Sequence, residues 1–233
     1  MLGMQGPFER LLVLLDYDGT VTARECNELV LQRFTGDAWR QHEEALQRGL
    51  IGHAECLRRQ IGLVRVPRAA LIAAAVGVAD LAPGFDPFLR ELSEGGARIA
   101  VVSAGFREVI DAVWRREALP PLEVLASEIV GERPPFDVAF HPAFGDCPAC
   151  GPASCKGAVV RALRRPGEVV AVFGDGHADV CMAREADLVF ARGTLAALCD
   201  AEGIACAALG DFRETLTALR RALPAPQSAE THA

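Results

Sequence analysis

No stretch of this 233-residue chain is apolar for long enough, without charges, to cross a bilayer. The opening MLGMQGPFER lacks the basic start of a secretory leader, and the apolar run behind it is too short to serve as one. Basic residues do not prevail either: 24 Lys and Arg stand against 31 Asp and Glu, a net charge of −7. That balance argues against nucleic acid as a main partner and against anionic membranes, while leaving room for a small anion in a locally positive pocket. No glycine-rich loop follows the first apolar run, which excludes a dinucleotide site there. Internal repeats are absent. A 51% hydrophobic content excludes a disordered chain, and the length suits one large domain or a core with a smaller insert.

What is present is an alternation. Leu11–Leu15 is a continuous apolar run bounded by charge, as a fully buried strand would be. Similar runs lie at 98–102, 122–126, 168–173, 187–191 and 204–209, with helical patterns at 84–94, 105–117, 154–165, 177–186 and 193–202. Strands alternating with helices predict an α/β fold, a Rossmann-like parallel sheet with helices on both faces. Residues 23–79 break the rhythm with four helical patterns and no strand. They predict an all-helical insert in a core made of 1–22 and 80–223, followed by a disordered tail at 224–233. The stretch 136–144, FDVAFHPAF, alternates as a short hairpin would.

Ligands of open parallel sheets gather beyond the carboxyl ends of the strands. The first strand runs into Asp16 and Asp18 of DYDGT, the second into Ser103 of VVSAG, and the fourth into Asp175 and Asp179 of GDGHAD. Lys156 opens the helix before the fourth strand. Carboxylates this close repel one another, so a hard cation with oxygen ligands, magnesium, is expected. With charge compensation from the cation and Lys156, one carboxylate can attack an electrophilic phosphorus while Ser103 holds an oxygen and Asp18 moves the proton. Each motif alone could be turn chemistry, and Ser103 alone could cap the helix predicted from 105.

In this order, DYDGT, VVSAG, Lys156 and GDGHAD resemble the four motifs of the haloacid dehalogenase superfamily, and the insert resembles its type-1 cap. The resemblance spans about Leu11 to Phe212. It implies Asp16 as a nucleophile forming an aspartyl-phosphate and Asp18 as general acid/base. It implies magnesium on Asp16, the Asp18 carbonyl and Asp175, with Asp179 supporting the metal or Lys156. Thr20, Ala104 and Gly105 join Ser103 around the phosphoryl group, Ala104 standing where relatives often have glycine. An aspartate at the second acidic position of DYDGT points to a phosphatase rather than a dehalogenase, acting on a small phosphorylated metabolite; with no secretory signal and scattered cysteines in apolar segments, a cytoplasmic protein is expected.

Three subfamilies share such a cap: phosphoserine phosphatases, methionine-salvage enol-phosphate phosphatases and phosphoethanolamine/phosphocholine phosphatases. Cysteines before the lysine, as in CPACGPASCK, are a feature of the last two. Their spacing resembles the phosphoethanolamine type, whereas DLVFARGTLAALCDAEGI resembles the methionine-salvage type. Glu25 falls where phosphoserine enzymes hold the substrate amine, but their carboxylate-binding arginine falls on Gln60. Arg58 lies nearby on another helix face. A neutral amide replaces a bidentate clamp poorly, so phosphoserine is disfavoured. Glu25 could equally be a solvated first-turn acid. Cys147, Cys150 and Cys155, with His141, could supply four ligands for a structural zinc; three free thiols, or one disulfide and a spare, are the alternatives. The remaining cysteines read as reduced core thiols. Outside hydrolysis, the chain could transfer the phosphoryl group to an alcohol, or bind a phosphorylated ligand without catalysis.

Overall fold

The computed structural model describes residues 6–223; the tail expected at 224–233 lies outside them. Strand β1 (Leu11–Leu15) is buried throughout. Its side chains alternate, Leu11, Val13 and Leu15 entering one core and Leu12 and Leu14 the other. Burial on both faces explains why the run is apolar without interruption: each leucine contributes roughly 1.5–3 kcal/mol by leaving water.

Strands β2 (Arg98–Phe106) and β3 (Glu123–Val130) lie to one side of β1, and β4 (Asp137–Ala139) pairs antiparallel with the end of β3. To the other side lie β7 (Val169–Gly174), β8 (Leu188–Ala191) and β9 (Ala207–Ala208), all parallel. The seven-stranded order is β4-β3-β2-β1-β7-β8-β9. The order reverses at β1, which opens a crevice at the carboxyl ends of β1, β2 and β7. A separate hairpin, β5 (Gly145–Cys147) and β6 (Gly151–Cys155), stands apart from this sheet.

Helices α1 (Cys26–Thr35), α2 (Arg40–Gln47), α3 (His53–Ile61) and α4 (Arg68–Val78) form the insert. Helices α5 (Phe85–Glu94) and α10 (Phe212–Ala222) cover one sheet face with Phe85, Phe88 and Phe212. Helices α7 (Lys156–Leu163) and α8 (Val180–Ala183) cover the other with Val159, Val160 and Met182. Helix α6 (Arg107–Arg116) follows β2, and α9 (Gly193–Glu202) follows β8. The predicted parallel sheet with helices on both faces and a helical insert is the observed architecture.

The insert is fastened at its base, where Ala23 N donates to Asp80 O (2.9 Å) and Ala82 N to Val21 O (2.8 Å). Its apolar side, with Val30, Leu31, Trp39, Ile61 and Leu71, packs onto Phe106, Val109, Ile129 and Val138 of the core.

Several boundaries differ from expectation. Strand β2 runs on to Phe106, so the helix begins at Arg107 and Ser103 does not cap it; Ser103 Oγ instead accepts from Gly105 N (2.9 Å) within the loop. The partner of β4 is the prolonged end of β3, not a second arm within 136–144. The helix expected at 177–186 is a short turn, His177–Asp179, and then α8, because Asp179 is drawn back to the loop amides. The last strand shrinks to Ala207–Ala208 at the sheet edge. Among the described residues no helix is long and apolar enough to cross a membrane.

Candidate active site

Asp16 continues the line of β1, its N–H donating to Phe173 O (2.9 Å). From Tyr17 to Val21 the chain makes one wide turn, closed by Thr22 N donating to Tyr17 O (3.0 Å). Gly19 sits in it at φ +69°, and a Cβ there would lie 2.4 Å from Asp175 Oδ2 and 2.5 Å from Glu25 Oε1. Glycine is needed both for the backbone sign and for the carboxylates that crowd it.

Lys156, the first residue of α7, is buried, and its ammonium donates to Asp16 Oδ1 and to Asp179 Oδ1 (2.7 Å for the latter). Asp179 Oδ2 accepts from Asp175 N and Gly176 N, both at 3.1 Å. Asp175 Oδ1 accepts from Thr20 Oγ1 (3.1 Å). Asp16, Asp175 and Asp179 each offer one carboxylate oxygen within 4.8 Å of the other two. Burial, then the Asp179 charge, raise the Asp16 carboxyl well above its ordinary range, while Lys156 pulls it down. Burial alone would lower Lys156, but Asp16 and Asp179 outweigh it and keep the amine charged. One buried cation among three acids leaves excess negative charge. All the donors are hard oxygens, which suits a magnesium ion.

Asp18 points elsewhere. Its Oδ1 accepts from Cys26 N (3.1 Å), the first amide of α1, and its Oδ2 approaches Gly105. Burial pushes this carboxyl up to about 6, against the lowering pull of the Cys26 and Asn27 amides and Lys156. The side chain of Asp18 is therefore not part of the acid triad; of the four acids, it is the one facing the VVSAG loop. Glu25 is exposed as a residue, yet its carboxyl tip turns toward Gly19 and Asp175. Burial of that tip, then the charges of Asp175 and Asp18, raise its pKa.

Ala104 is exposed and lines a small cavity of about 20 Å³ between core and insert. His53, Ala54 and Leu57 of α3 face it from above, and Phe140, Phe144 and Lys156 from the core. Arg58 is turned away, paired with Asp137 (3.3 Å) and stacked over Phe140. Gln60 is buried against Glu43 within the insert (3.3 Å). A wider groove of about 200 Å³ is lined by Arg24, Glu25, Glu28, Trp39 and Arg40; none of Asp16, Asp18, Asp175 and Asp179 lines it.

Arg192 was not among the sequence candidates. It follows β8 and donates Nε to Gly19 O (2.7 Å) and a terminal nitrogen to Thr20 O (3.1 Å), clasping the DYDGT turn from beneath. Its only sequence signal is a lone cation at the carboxyl end of a strand. His141 is also corrected: its Nδ1 accepts from Ala143 N (3.2 Å), and the thiols of Cys147, Cys150 and Cys155 gather with Cys181 instead.

The model for haloacid dehalogenase-like hydrolases matches residues 13–184, which holds every motif just described. The chain belongs to the haloacid dehalogenase-like hydrolases. The family reading drawn from the four motifs is thus borne out. Among members of this family, a 2-hydroxy-3-keto-5-methylthiopentenyl-1-phosphate phosphatase of Exiguobacterium sp. is 26% identical over 199 residues, covering 82% of this chain and 89% of its own. A bifunctional enzyme, MtnB/MtnX of Bacillus licheniformis, is 28% identical over 219 residues. This chain spans 48% of that relative's length. In structure, a phosphoserine phosphatase bearing a phospho-aspartyl intermediate analogue superposes with a TM-score of 0.69 at 19% identity, covering 91% of this chain and 99% of its own. At that identity the likeness is one of fold.

Proposed function

We propose that this hydrolase cleaves a small phosphate monoester through an aspartyl-phosphate on Asp16, and that its substrate is of the methionine-salvage enol-phosphate class. The observation carrying the chemistry is the buried Lys156 ammonium shared by Asp16 and Asp179 at the switch point of the sheet. Asp16 attacks phosphorus, and Asp18 gives its proton to the leaving oxygen. Asp18, now a carboxylate, takes a proton from water, which attacks the acyl-phosphate and frees Asp16 and phosphate. Ser103 Oγ, oriented by the Gly105 amide, and Lys156 hold phosphoryl oxygens. Asp16, Asp175 and the Asp18 carbonyl would hold magnesium, with Asp179 beside them; bound there, the ion offsets the charge that two anions bring together. Asp179 also orients Lys156.

The cavity supports the substrate class. His53, Ala54, Leu57, Phe140 and Phe144 offer a mainly apolar wall beside Lys156 and Ala104. Among the described residues no arginine lines it: Arg58 is engaged with Asp137, and the Gln60 amide with Glu43. A substrate carboxylate finds no clamp there, whereas an apolar tail does. A volume near 20 Å³ holds about one water, so the insert must open to admit substrate. The relatives named as 2-hydroxy-3-keto-5-methylthiopentenyl-1-phosphate phosphatases support the same class. The acids around Glu25 favour a second reading, a cationic substrate such as phosphoethanolamine. All eight cysteines are free thiols, which suits a reducing cytoplasm.

The test is magnesium-dependent phosphate release from the enol-phosphate, phosphoethanolamine, phosphocholine and phosphoserine, with Asp16→Asn as control. Preference for the enol-phosphate, lost in the variant and on magnesium removal, supports the reading. Preference for phosphoserine refutes the substrate class, and full activity of Asp16→Asn refutes the chemistry.

A further inference from the structure

Four of the thiols meet behind the catalytic lysine. Cys147 ends β5, Cys150 lies in the turn, Cys155 ends β6, and Cys181 comes from α8, beyond β7. Each offers a sulfur within 4.8 Å of the other three. Cys181 Sγ lies 3.8 Å from Cys147 Sγ and 3.4 Å from Cys150 Sγ. A tetrahedral zinc ion with bonds near 2.3 Å to sulfur sets its ligands about 3.8 Å apart, so the observed spread is that of a tetrathiolate cage.

The surroundings are built for thiolates. Cys150 N donates to Cys147 Sγ (3.2 Å), an amide aimed at sulfur within the Cys-x2-Cys turn. Gly151, at φ +84°, turns the chain back so that both sulfurs of the turn face one point. Arg184 reaches Cys181 Sγ (3.6 Å), a cation beside a cage that would carry two net negative charges. Helix α7 comes close enough to α8 only because residue 157 is glycine: a Cβ there would meet Cys181 O at 2.6 Å. That approach joins the Cys155 end of the hairpin to Cys181.

We propose that Cys147, Cys150, Cys155 and Cys181 form a structural zinc site that staples the Lys156 loop to the helix behind Asp175 and Asp179. Zinc displaces the thiol protons and takes four thiolates, with no redox change. Cys155 is joined to Lys156 by one peptide bond, and Cys181 follows Asp179 by two residues. The ion therefore sets the distance between the lysine and the acid that orients it. It also reaches the insert: Gly52, at the start of α3, abuts Cys150 O, where a Cβ would stand at 3.2 Å. The site is independent of the magnesium ligands and of the choice of substrate.

The experiment is metal analysis of the full chain after gel filtration in magnesium-free buffer. One equivalent of zinc per chain is expected, and cobalt exchange should give the thiolate charge-transfer and tetrahedral bands of four sulfur ligands. His141→Ala and Asp16→Asn should keep the metal, while Cys181→Ser loses it. Absence of zinc from the wild type, its full retention in Cys181→Ser, or its loss in His141→Ala would overturn the site. Iron in its place would overturn the choice of metal. If Cys181→Ser does not fold, the wild-type stoichiometry, the cobalt spectrum and His141→Ala still decide. For positioning of Lys156, zinc-depleted protein that keeps its circular dichroism should hydrolyse p-nitrophenyl phosphate at least tenfold more slowly in kcat, restored by zinc but not by magnesium. Unchanged kcat would overturn that part alone. Were the wild type inactive, the metal analysis would still judge the site.

Discussion

Replacing Asp18 by asparagine should make the protein more stable while disabling it. The Asp18 carboxyl is pushed from its ordinary 3.8 to about 6 by burial. Each unit is worth roughly 1.4 kcal/mol, so keeping this group ionised in the folded state costs about 3 kcal/mol at neutral pH. The cost is absent below the unfolded value, grows as pH rises between 3.8 and about 6, and is complete above that. Asparagine keeps an oxygen able to accept from Cys26 N, so the hydrogen bond to α1 survives and only the charge is lost. For a chain of this size about 3 kcal/mol corresponds to a rise in Tm of about 6 to 12 °C. Thermal unfolding of both proteins in magnesium-free buffer at pH 7.5 should show that gain. At pH 4.5 it should fall to about a third, because the wild-type carboxyl is then largely protonated in the folded state. Phosphatase activity should drop at least about 100-fold, the usual worth of a general acid/base. Equal Tm values at pH 7.5, or a gain that does not shrink at pH 4.5, would refute the reasoning, since the first denies the burial cost and the second assigns the gain to packing.

Three other substitutions probe the same loop. Lys156→Met should destabilise by about 3–5 kcal/mol, because Asp16 and Asp179 lose their shared cation; denaturant titration measures it, and a loss under 1 kcal/mol would contradict the buried pairing. Gly19→Ala should abolish most turnover and lower Tm, since its Cβ would displace the Asp175 and Glu25 carboxylates at a positive φ; wild-type kinetics would show that the turn relaxes freely. Arg192→Ala should cost about 1–3 kcal/mol by stranding the Gly19 and Thr20 carbonyls and should lower kcat more than it raises KM; an unchanged kcat would deny the clasp a part in catalysis.

The sheet was legible because its central strands are buried on both faces and so are written as unbroken apolar runs. The acids and Lys156 could be placed because each directly follows such a run or opens a helix, where topology brings them to one edge. Cys181 and Arg192 escaped for the opposite reason. Each is a lone residue whose partners lie far along the chain, and no local spacing announces a contact made through the sheet. The β5–β6 hairpin escaped because GPASC is glycine-, proline- and serine-containing and reads as loop. Its geometry is set by the turn and by α7 against α8 rather than by β propensity. The cap residues were placed by sequence position alone, and Arg58 and Gln60 turned toward Asp137 and Glu43 because neighbours outside their own helix offered partners.

The hydrogen bond from Cys26 N to Asp18 ties the start of the insert to the group that handles the proton. Any swing that lifts α1 withdraws that amide, and a carboxylate that loses a donor holds its proton more firmly. The same swing would wet the carboxyl, whose burial outweighs that donor, so opening lowers its pKa and closure over a substrate raises it, leaving Asp18 protonated when a leaving oxygen needs the proton. Lid and proton donor share one stretch of chain, so closing the insert is also what arms the acid.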